Sequence, residues 1–327
     1  PEDFMKAFSF RGVQFGNYVE KGRRQQDLND SYDALMDLAF VLDMDSTAIS
    51  LNGRLGLAFG ARGRGGVNPA SAHFEPMECV INLTKANGAG SLAHEWLHGV
   101  DNHLSHMTGR SSGMISAFLP ARAGQVMRAH IFGEDALPDP IVAGLNEVND
   151  AINRTGIAAR CRQLDQTRSS PYYQLREEIL ARTFECYVIG RLEEKGIQND
   201  YLANISPEAV YEATAALTGQ PAGRYPYLKE DERESVFKAY DVLMRESGIA
   251  AHLMPEEARV NADPAHRTPA QIFDEVEFDQ DQLEPEDRQS ALYRPAGGGY
   301  DEVTSDQAAE AAPEKAEDDP GEEISWM

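Results

Sequence analysis

The sequence predicts an α+β fold with a small N-terminal sheet, a mostly helical C-terminal half and a disordered acidic tail. Short runs with strand-like alternation occur within the first 85 residues, whereas most segments after residue 90 have helical spacing. Residues 261–327 hold 19 acidic and only 4 basic side chains, with few large apolar ones. We therefore predict a subdomain with the sheet at 1–110, a helical subdomain at 111–253 and a disordered tail at 254–327.

The elements before residue 60 are predicted from alternation, caps and turn residues. Apolar residues alternate loosely over 8–16, which predicts a strand or hairpin. Helical spacing behind capping candidates predicts a helix over about 30–43. The pair Asn52-Gly53 predicts a hairpin within 49–59, because both central positions of such a turn need positive φ.

A strand and several helices are predicted further along. The run 78–85 places apolar and polar residues alternately, which predicts a strand exposed on one face, and a helix is expected over about 90–107. Ser170-Pro171 would begin a helix that runs to about Leu192. Two more helices are predicted over 207–217 and 230–246 because serine, proline and glycine stand at their ends.

Composition excludes several classes of function. The net charge is −24, and no dense run of basic residues is present, which argues against nucleic acid as a partner. No apolar run reaches the roughly 20 residues of a membrane helix, so no membrane partner is expected. Cys79, Cys161 and Cys186 have no paired spacing and are interpreted as reduced thiols of a cytoplasmic protein. The start at Pro1 suggests a fragment of a longer chain with other domains.

The chemistry is carried by His94-Glu95-Trp96-Leu97-His98, an H-E-x-x-H motif in the helix predicted over 90–107. The four-residue spacing places both imidazoles on one helix face, about 40° apart. They can therefore bind one Zn²⁺, and the intervening Glu95 can take a proton from a water molecule at the metal. A catalytic zinc also needs a third protein ligand, for which glutamates of a later helix are the preferred candidates.

A later helix carries a second motif, Glu178-Ile179-Leu180-Ala181-Arg182-Thr183-Phe184, which has the pattern E-x-x-A-x-x-F. Together with H-E-x-x-H it resembles the gluzincin-type catalytic domain of anthrax lethal factor and its relatives. The resemblance implies a zincin-like fold, peptidase activity and Glu178 as the third zinc ligand. Glu177 and Glu185 remain alternative ligands.

Three further roles are hypotheses. Tyr172 and Tyr173 stand six and five residues before Glu178, and either could donate a hydrogen bond to the oxyanion of a peptidase reaction. Asp101, three residues after His98, could accept the free N–H of that imidazole. Glu185, seven residues after Glu178 and on nearly the same helix face, would act next to the metal ligands rather than as one.

A second resemblance spans about residues 4–192. The runs 8–16, 55–63 and 80–85 resemble a domain of the large polyvalent proteins of phages and conjugative elements. This resemblance implies a mobile-element protein, in the cytoplasm of a host or recipient cell after delivery. The strand at 78–85 also resembles, by its position, the zincin edge strand that pairs with an extended substrate peptide.

The leading hypothesis is a zinc-dependent endopeptidase that acts on a protein or peptide substrate. The alternative is a catalytically inactive metal-binding or scaffold module of a phage or plasmid polyvalent protein, although metal binding alone would not require Glu95. A third hypothesis is a module that associates with nucleic acid. It would rest on a modest basic patch made of Arg11, Arg23, Arg24, Arg62 and Arg64.

Overall fold

A computed structural model describes residues 2–16, 21–62, 72–84, 89–109, 113–119 and 137–261. The chain divides into two compact units, Pro1–Leu292 and Tyr293–Met327, and every described residue belongs to the first. The described residues are mostly helical and include one four-stranded sheet, which confirms the predicted α+β class.

The sheet is built from four short strands: β1 (Gly12–Phe15), β2 (Gly56–Phe59), β3 (Ala72–Glu75) and β4 (Val80–Leu83). Their order across the sheet is β1-β2-β4-β3. The first three strands in this order run parallel, and β3 pairs antiparallel with β4. Because parallel neighbours need a crossover, the long helix α2 (Lys21–Leu42) lies between β1 and β2 in the chain.

The strand predicted at 78–85 is present as β4, but it is not an edge strand and it is not exposed on one face. All four residues of β4 are buried, and the strand pairs with β2 on one side and with β3 on the other. The edge on this side of the sheet is β3, a strand that the sequence pattern did not indicate. Whether a strand lies at the edge or in the centre of a sheet depends on its long-range pairing, which alternation along one segment cannot reveal.

Two other predictions before residue 60 were wrong in part. The segment 8–16 begins within helix α1 (Glu2–Phe8), so only its second half is a strand. Asn52 and Gly53 do have positive φ, 61° and 71°, but the turn follows a 3₁₀ helix at Ser46–Ser50 instead of a strand. No hairpin forms there, because β2 pairs only with parallel neighbours.

Helix α2 begins nine residues earlier than predicted. Its first turns are polar and show no apolar stripe, but side-chain pairs four residues apart join Arg23 to Asp27 and Gln25 to Asn29. Such pairs stabilise a helix without any apolar periodicity. The apolar residues whose helical spacing predicted this helix are buried, with Leu35, Ala39 and Leu42 fully enclosed in the core.

The remaining helices follow the sheet in the chain. They are α3 (Leu92–Met107), α4 (Asp139–Asn153), α5 (Ile157–Asp165), α6 (Arg176–Glu194), α7 (Glu208–Leu217), α8 (Glu230–Asp241), α9 (Ile249–Leu253) and α10 (Glu256–Asn261), with a 3₁₀ turn at Ile115–Phe118. Helix α8 continues as a π-helical turn at Val242–Glu246. Helix α10 lies at the start of the segment predicted as a disordered tail, and residues 262–327 lie outside the described residues.

Helices α3 and α6 pack against each other, and this contact positions the site. The indole of Trp96 stacks on Phe184 with ring centroids 5.8 Å apart, and its Nε1–H donates to the carbonyl of Ile49 at 3.0 Å. Both rings are fully buried. In the described ranges, no helix has the length and apolar character needed to cross a membrane. The three cysteines are free and buried, as predicted.

Candidate metal centre

Helix α3 carries the H-E-x-x-H motif in its first two turns. His94 and His98 present their rings on one side of the helix, with centroids 4.8 Å apart. The apolar residues of this helix, including Trp96, Leu97 and Val100, are buried on its other sides. A Cβ at Gly99 would lie 3.6 Å from the ring of Phe74, so α3 passes close to strand β3 one residue after His98.

Helix α6 brings Glu178 to the two histidines. One carboxylate oxygen lies 3.4 Å from Nε2 of His94, and the other lies 3.6 Å from Nε2 of His98. One ligand atom from each of these three residues lies within 4.8 Å of the other two, and all three side chains are nearly buried. The group could therefore hold a metal ion.

The donor set fits zinc. Two imidazole nitrogens and one glutamate oxygen are the protein ligands of a known class of catalytic zinc sites. In a tetrahedral site with zinc–ligand distances of about 2.0–2.1 Å, donor atoms stand about 3.3 Å apart. The separation of 3.4 Å between Oε2 of Glu178 and Nε2 of His94 is close to that spacing, and the other carboxylate oxygen, Oε1, lies 3.6 Å from Nε2 of His98.

The other two candidate ligands lie elsewhere. Glu185 contacts the opposite nitrogen of His94, with Oε2 2.9 Å from Nδ1, and its side chain is 5% exposed. A carboxylate in this position fixes the imidazole so that Nε2 faces the metal. Glu177 is outside the three-residue group, and its negative charge helps to raise the pKa of Asp101.

Glu95 is buried beside this group, with 7% of its surface exposed. Burial raises the pKa of its carboxyl, while the adjacent His94 and His98 lower it in part. Glu178 and Glu185 raise the pKa further through their negative charges. A carboxyl with a raised pKa at a site of this kind is suited to accept and return a proton.

Zinc binding should release a proton from His94. Burial lowers the pKa of this imidazole, but the carboxylates of Glu185 and Glu178 raise it to about 10, so the metal-free protein keeps it protonated at pH 8. Zinc binds only the neutral ring. We expect one proton to be released from His94 per zinc at pH 8, in addition to any proton lost by zinc-bound water, measured by titration calorimetry in buffers of different ionisation enthalpy. Glu185→Gln should lower that number, and zero release by the unaltered protein would contradict the arrangement.

Asp101 is engaged by a different partner from the one predicted. Its carboxylate accepts hydrogen bonds from the backbone N–H of Ser116 at 2.8 Å and from the hydroxyl of the same residue. Burial raises the pKa of Asp101 to about 6. Within the described residues, no hydrogen bond joins it to His98, so it attaches the 3₁₀ turn Ile115–Phe118 to helix α3.

Tyr172 and Tyr173 lie in a turn before α6, not in the helix. The predicted start at Ser170-Pro171 is wrong because Asp165 accepts hydrogen bonds from the backbone N–H groups of Tyr172, Tyr173 and Gln174, at 3.1, 3.1 and 2.9 Å. Burial raises the pKa of Asp165, but these three bonds lower it by more. Helix α6 therefore begins at Arg176, and Glu178 lies in its first turn.

Of the two tyrosines, Tyr172 is the one whose phenol reaches Glu178. Burial raises the pKa of Tyr172, and the charge of Glu178 together with a hydrogen bond to that carboxylate raises it further. The backbone of Tyr173 accepts a hydrogen bond from the guanidinium of Arg182. The structure thus places Tyr172 at the site and gives Tyr173 a part in holding the segment.

Comparison with known proteins gave one match. Residues 164–251 match the family model described as large polyvalent protein-associated domain 1. No curated protein and no solved structure matched the chain. The match supports the predicted resemblance to polyvalent proteins, but it overlaps the predicted span of 4–192 only over residues 164–192 and lies outside the runs 8–16, 55–63 and 80–85 that suggested it. It includes α6 with Glu178 and Glu185, and it excludes α3 with its two histidines.

Two residues near the site, Arg182 and Tyr227, were not identified from the sequence, and both lie within the region that matches large polyvalent protein-associated domain 1. Arg182 is 3% exposed and lies 3.3 Å from Glu178 through Nη1 and Oε2. Burial raises the pKa of Tyr227, and the charge of Glu185 raises it further. The i,i+4 spacing of Glu178 and Arg182 was a usable signal. Tyr227 had none, because only tertiary packing brings it within range of the charge of Glu185.

Proposed function

We propose that this protein is a zinc-dependent endopeptidase that hydrolyses peptide bonds of a protein substrate. One observation carries the proposal: the donor atoms of His94, His98 and Glu178 converge within 4.8 Å, and Glu95 is buried beside them. The first three residues would hold the zinc ion, and Glu95 would be the catalytic base. A site for metal binding alone would need only the three ligands and would have no need of a buried fourth residue, Glu95, whose carboxyl has a raised pKa.

The chain supplies proton transfer and orientation. When bound, zinc would polarise the peptide carbonyl and lower the pKa of water. Glu95 takes the proton from the attacking water and gives it to the leaving amine as the C–N bond breaks. Tyr172, whose raised pKa keeps its phenol protonated, donates a hydrogen bond to the carbonyl oxygen as negative charge develops there. Glu185 keeps His94 in one orientation throughout.

An extended substrate would pair with strand β3. This strand replaces β4 in the zincin-like arrangement proposed from the sequence, because β4 is covered on both sides. Among the described strands, β3 ends the sheet, and it lies against helix α3 near Gly99. A peptide added there would run past the metal ligands. Main-chain hydrogen bonds would hold such a peptide whatever its side chains.

The experiment is cleavage of a complex protein mixture by the zinc-loaded protein, with new N-termini identified by mass spectrometry. We expect new termini that disappear when the zinc is removed with a chelator and return when zinc is added again. Protein that holds zinc at full occupancy but produces no new termini would favour the alternative, a metal-binding scaffold module of a polyvalent protein.

A further inference from the structure

Arg182 joins the predicted third ligand to the segment that carries Tyr172. Its side chain lies one helical turn after Glu178, with Nη1 3.3 Å from that carboxylate. Its Nη2 donates to the backbone carbonyl of Tyr173. One nearly fully buried guanidinium therefore contacts both a candidate metal ligand and the backbone beside the candidate oxyanion donor.

The segment 172–174 is held from two sides. Asp165 accepts hydrogen bonds from its three consecutive N–H groups, and Arg182 donates to its central carbonyl. The guanidinium of Arg182 also lies 5.3 Å from the ring centroid of Tyr173 and 5.9 Å from that of Tyr172. A planar guanidinium can make these contacts together, since it offers several N–H donors in a fixed fork and a flat face.

Arg182 also contributes to the charge balance of the site. Three buried or nearly buried carboxylates, from Glu95, Glu178 and Glu185, surround the two histidines. A divalent zinc ion and one arginine would together balance their three negative charges. In the described part of the chain, no other arginine and no lysine forms an ion pair with any of these three carboxylates. Removing one partner of a buried ion pair is strongly destabilising because it leaves a buried charge uncompensated.

We propose that Arg182 is a positioning residue that couples the third metal ligand to the tyrosine segment. It orients the carboxylate of Glu178 towards the histidines and, through the carbonyl of Tyr173, holds the phenol of Tyr172 over the same carboxylate. The role of Tyr172 in this inference rests on the proposed peptidase function. The two structural couplings do not, and they can be measured without any substrate.

Two variants separate the couplings. Arg182→Met removes both contacts and keeps an unbranched side chain of similar volume. Arg182→Lys keeps a positive charge four residues after Glu178, where such a pair is favourable in a helix, but one ammonium cannot also replace the bond to Tyr173 and the ring contacts. Arg160→Met is the matched control. Arg160 is also a buried arginine that binds two carbonyls and one glutamate, Glu232, but it has no contact with the metal group.

Zinc affinity and amide hydrogen exchange are the readouts. In Arg182→Met we expect zinc affinity to fall at least tenfold, as for other residues that orient a ligand, and the amides of Tyr172, Tyr173 and Gln174 to exchange faster in the metal-free protein. Arg182→Lys should restore most of the zinc affinity but not the slow exchange. Arg160→Met should change neither quantity in the folded protein.

Unaltered zinc affinity and exchange in Arg182→Met would overturn the proposal, and so would equal losses in Arg160→Met. If Arg182→Met does not fold, Arg182→Lys decides the matter, since slow exchange of the three amides in that variant would also overturn it. A wild-type protein that binds zinc but cleaves nothing would contradict the peptidase proposal. That result would not change the zinc affinities and amide exchange rates expected for the Arg182 variants.

Discussion

Glu95→Gln is expected to keep zinc and lose turnover by a factor of about 10²–10⁴, the range that a general base contributes. Glutamine has nearly the same shape as glutamate, but it cannot take a proton from the attacking water. The three proposed ligands are untouched, so zinc stoichiometry should stay the same. The loss should appear in kcat, measured on a peptide taken from the cleavage screen, because the carboxylate acts during the reaction.

Glu177→Gln is the control for this experiment. It makes the same chemical change in a glutamate one residue before Glu178, outside the three-residue group. It should leave zinc content and cleavage close to those of the unaltered protein. If Glu95→Gln cleaves at a near wild-type rate with zinc bound, Glu95 is not the base, and the mechanism proposed for it is wrong.

Glu178→Ala is expected to weaken zinc binding by more than a hundredfold, whereas Glu185→Ala should weaken it by about 10–100-fold, the range for a residue that orients a ligand. The reason is geometric. Glu178 approaches the metal-facing nitrogens of both histidines, and Glu185 approaches only Nδ1 of His94, away from the metal. Competition with a chromophoric chelator measures both affinities, with Glu177→Ala as the control in the same helix turn.

The opposite order of zinc affinities in these two variants would contradict the assignment of Glu178 as the third ligand. Full zinc affinity in Glu178→Ala with loss in Glu185→Ala would make Glu185 the third ligand and break the alignment with the lethal-factor group. Both variants must be compared at one pH, because the neighbouring carboxylates raise the pKa of His94 to about 10 and zinc binds only the neutral ring.

The shared face of His94 and His98 on helix α3 was predictable because it depends only on local helical periodicity. A spacing of four residues places His94 and His98 on one face of any α-helix, and the structure has both on one side of α3. Glu178 came from resemblance to a family, since no spacing rule relates residues some eighty positions apart. The structure brings it to the histidines through the packing of α6 on α3.

The errors occurred where tertiary partners override local signals. Ser170-Pro171 is a normal helix start, but Asp165 binds the N–H groups of the next residues and delays α6 until Arg176. Asn52-Gly53 adopts the predicted positive φ, but hairpin formation depends on which strands pair, and β2 pairs in parallel. The contacts of Arg182 could not be predicted for a related reason, since its second partner is the carbonyl of Tyr173 in the turn that Asp165 holds.

The most direct test of the metal centre is X-ray diffraction from crystals of the zinc-loaded protein, with anomalous data collected on both sides of the zinc absorption edge. The proposal predicts one strong anomalous peak about 2.0–2.2 Å from Nε2 of His94, Nε2 of His98 and a carboxylate oxygen of Glu178. An anomalous peak bound by other residues, or none between α3 and α6 in protein with one zinc per chain, would contradict it.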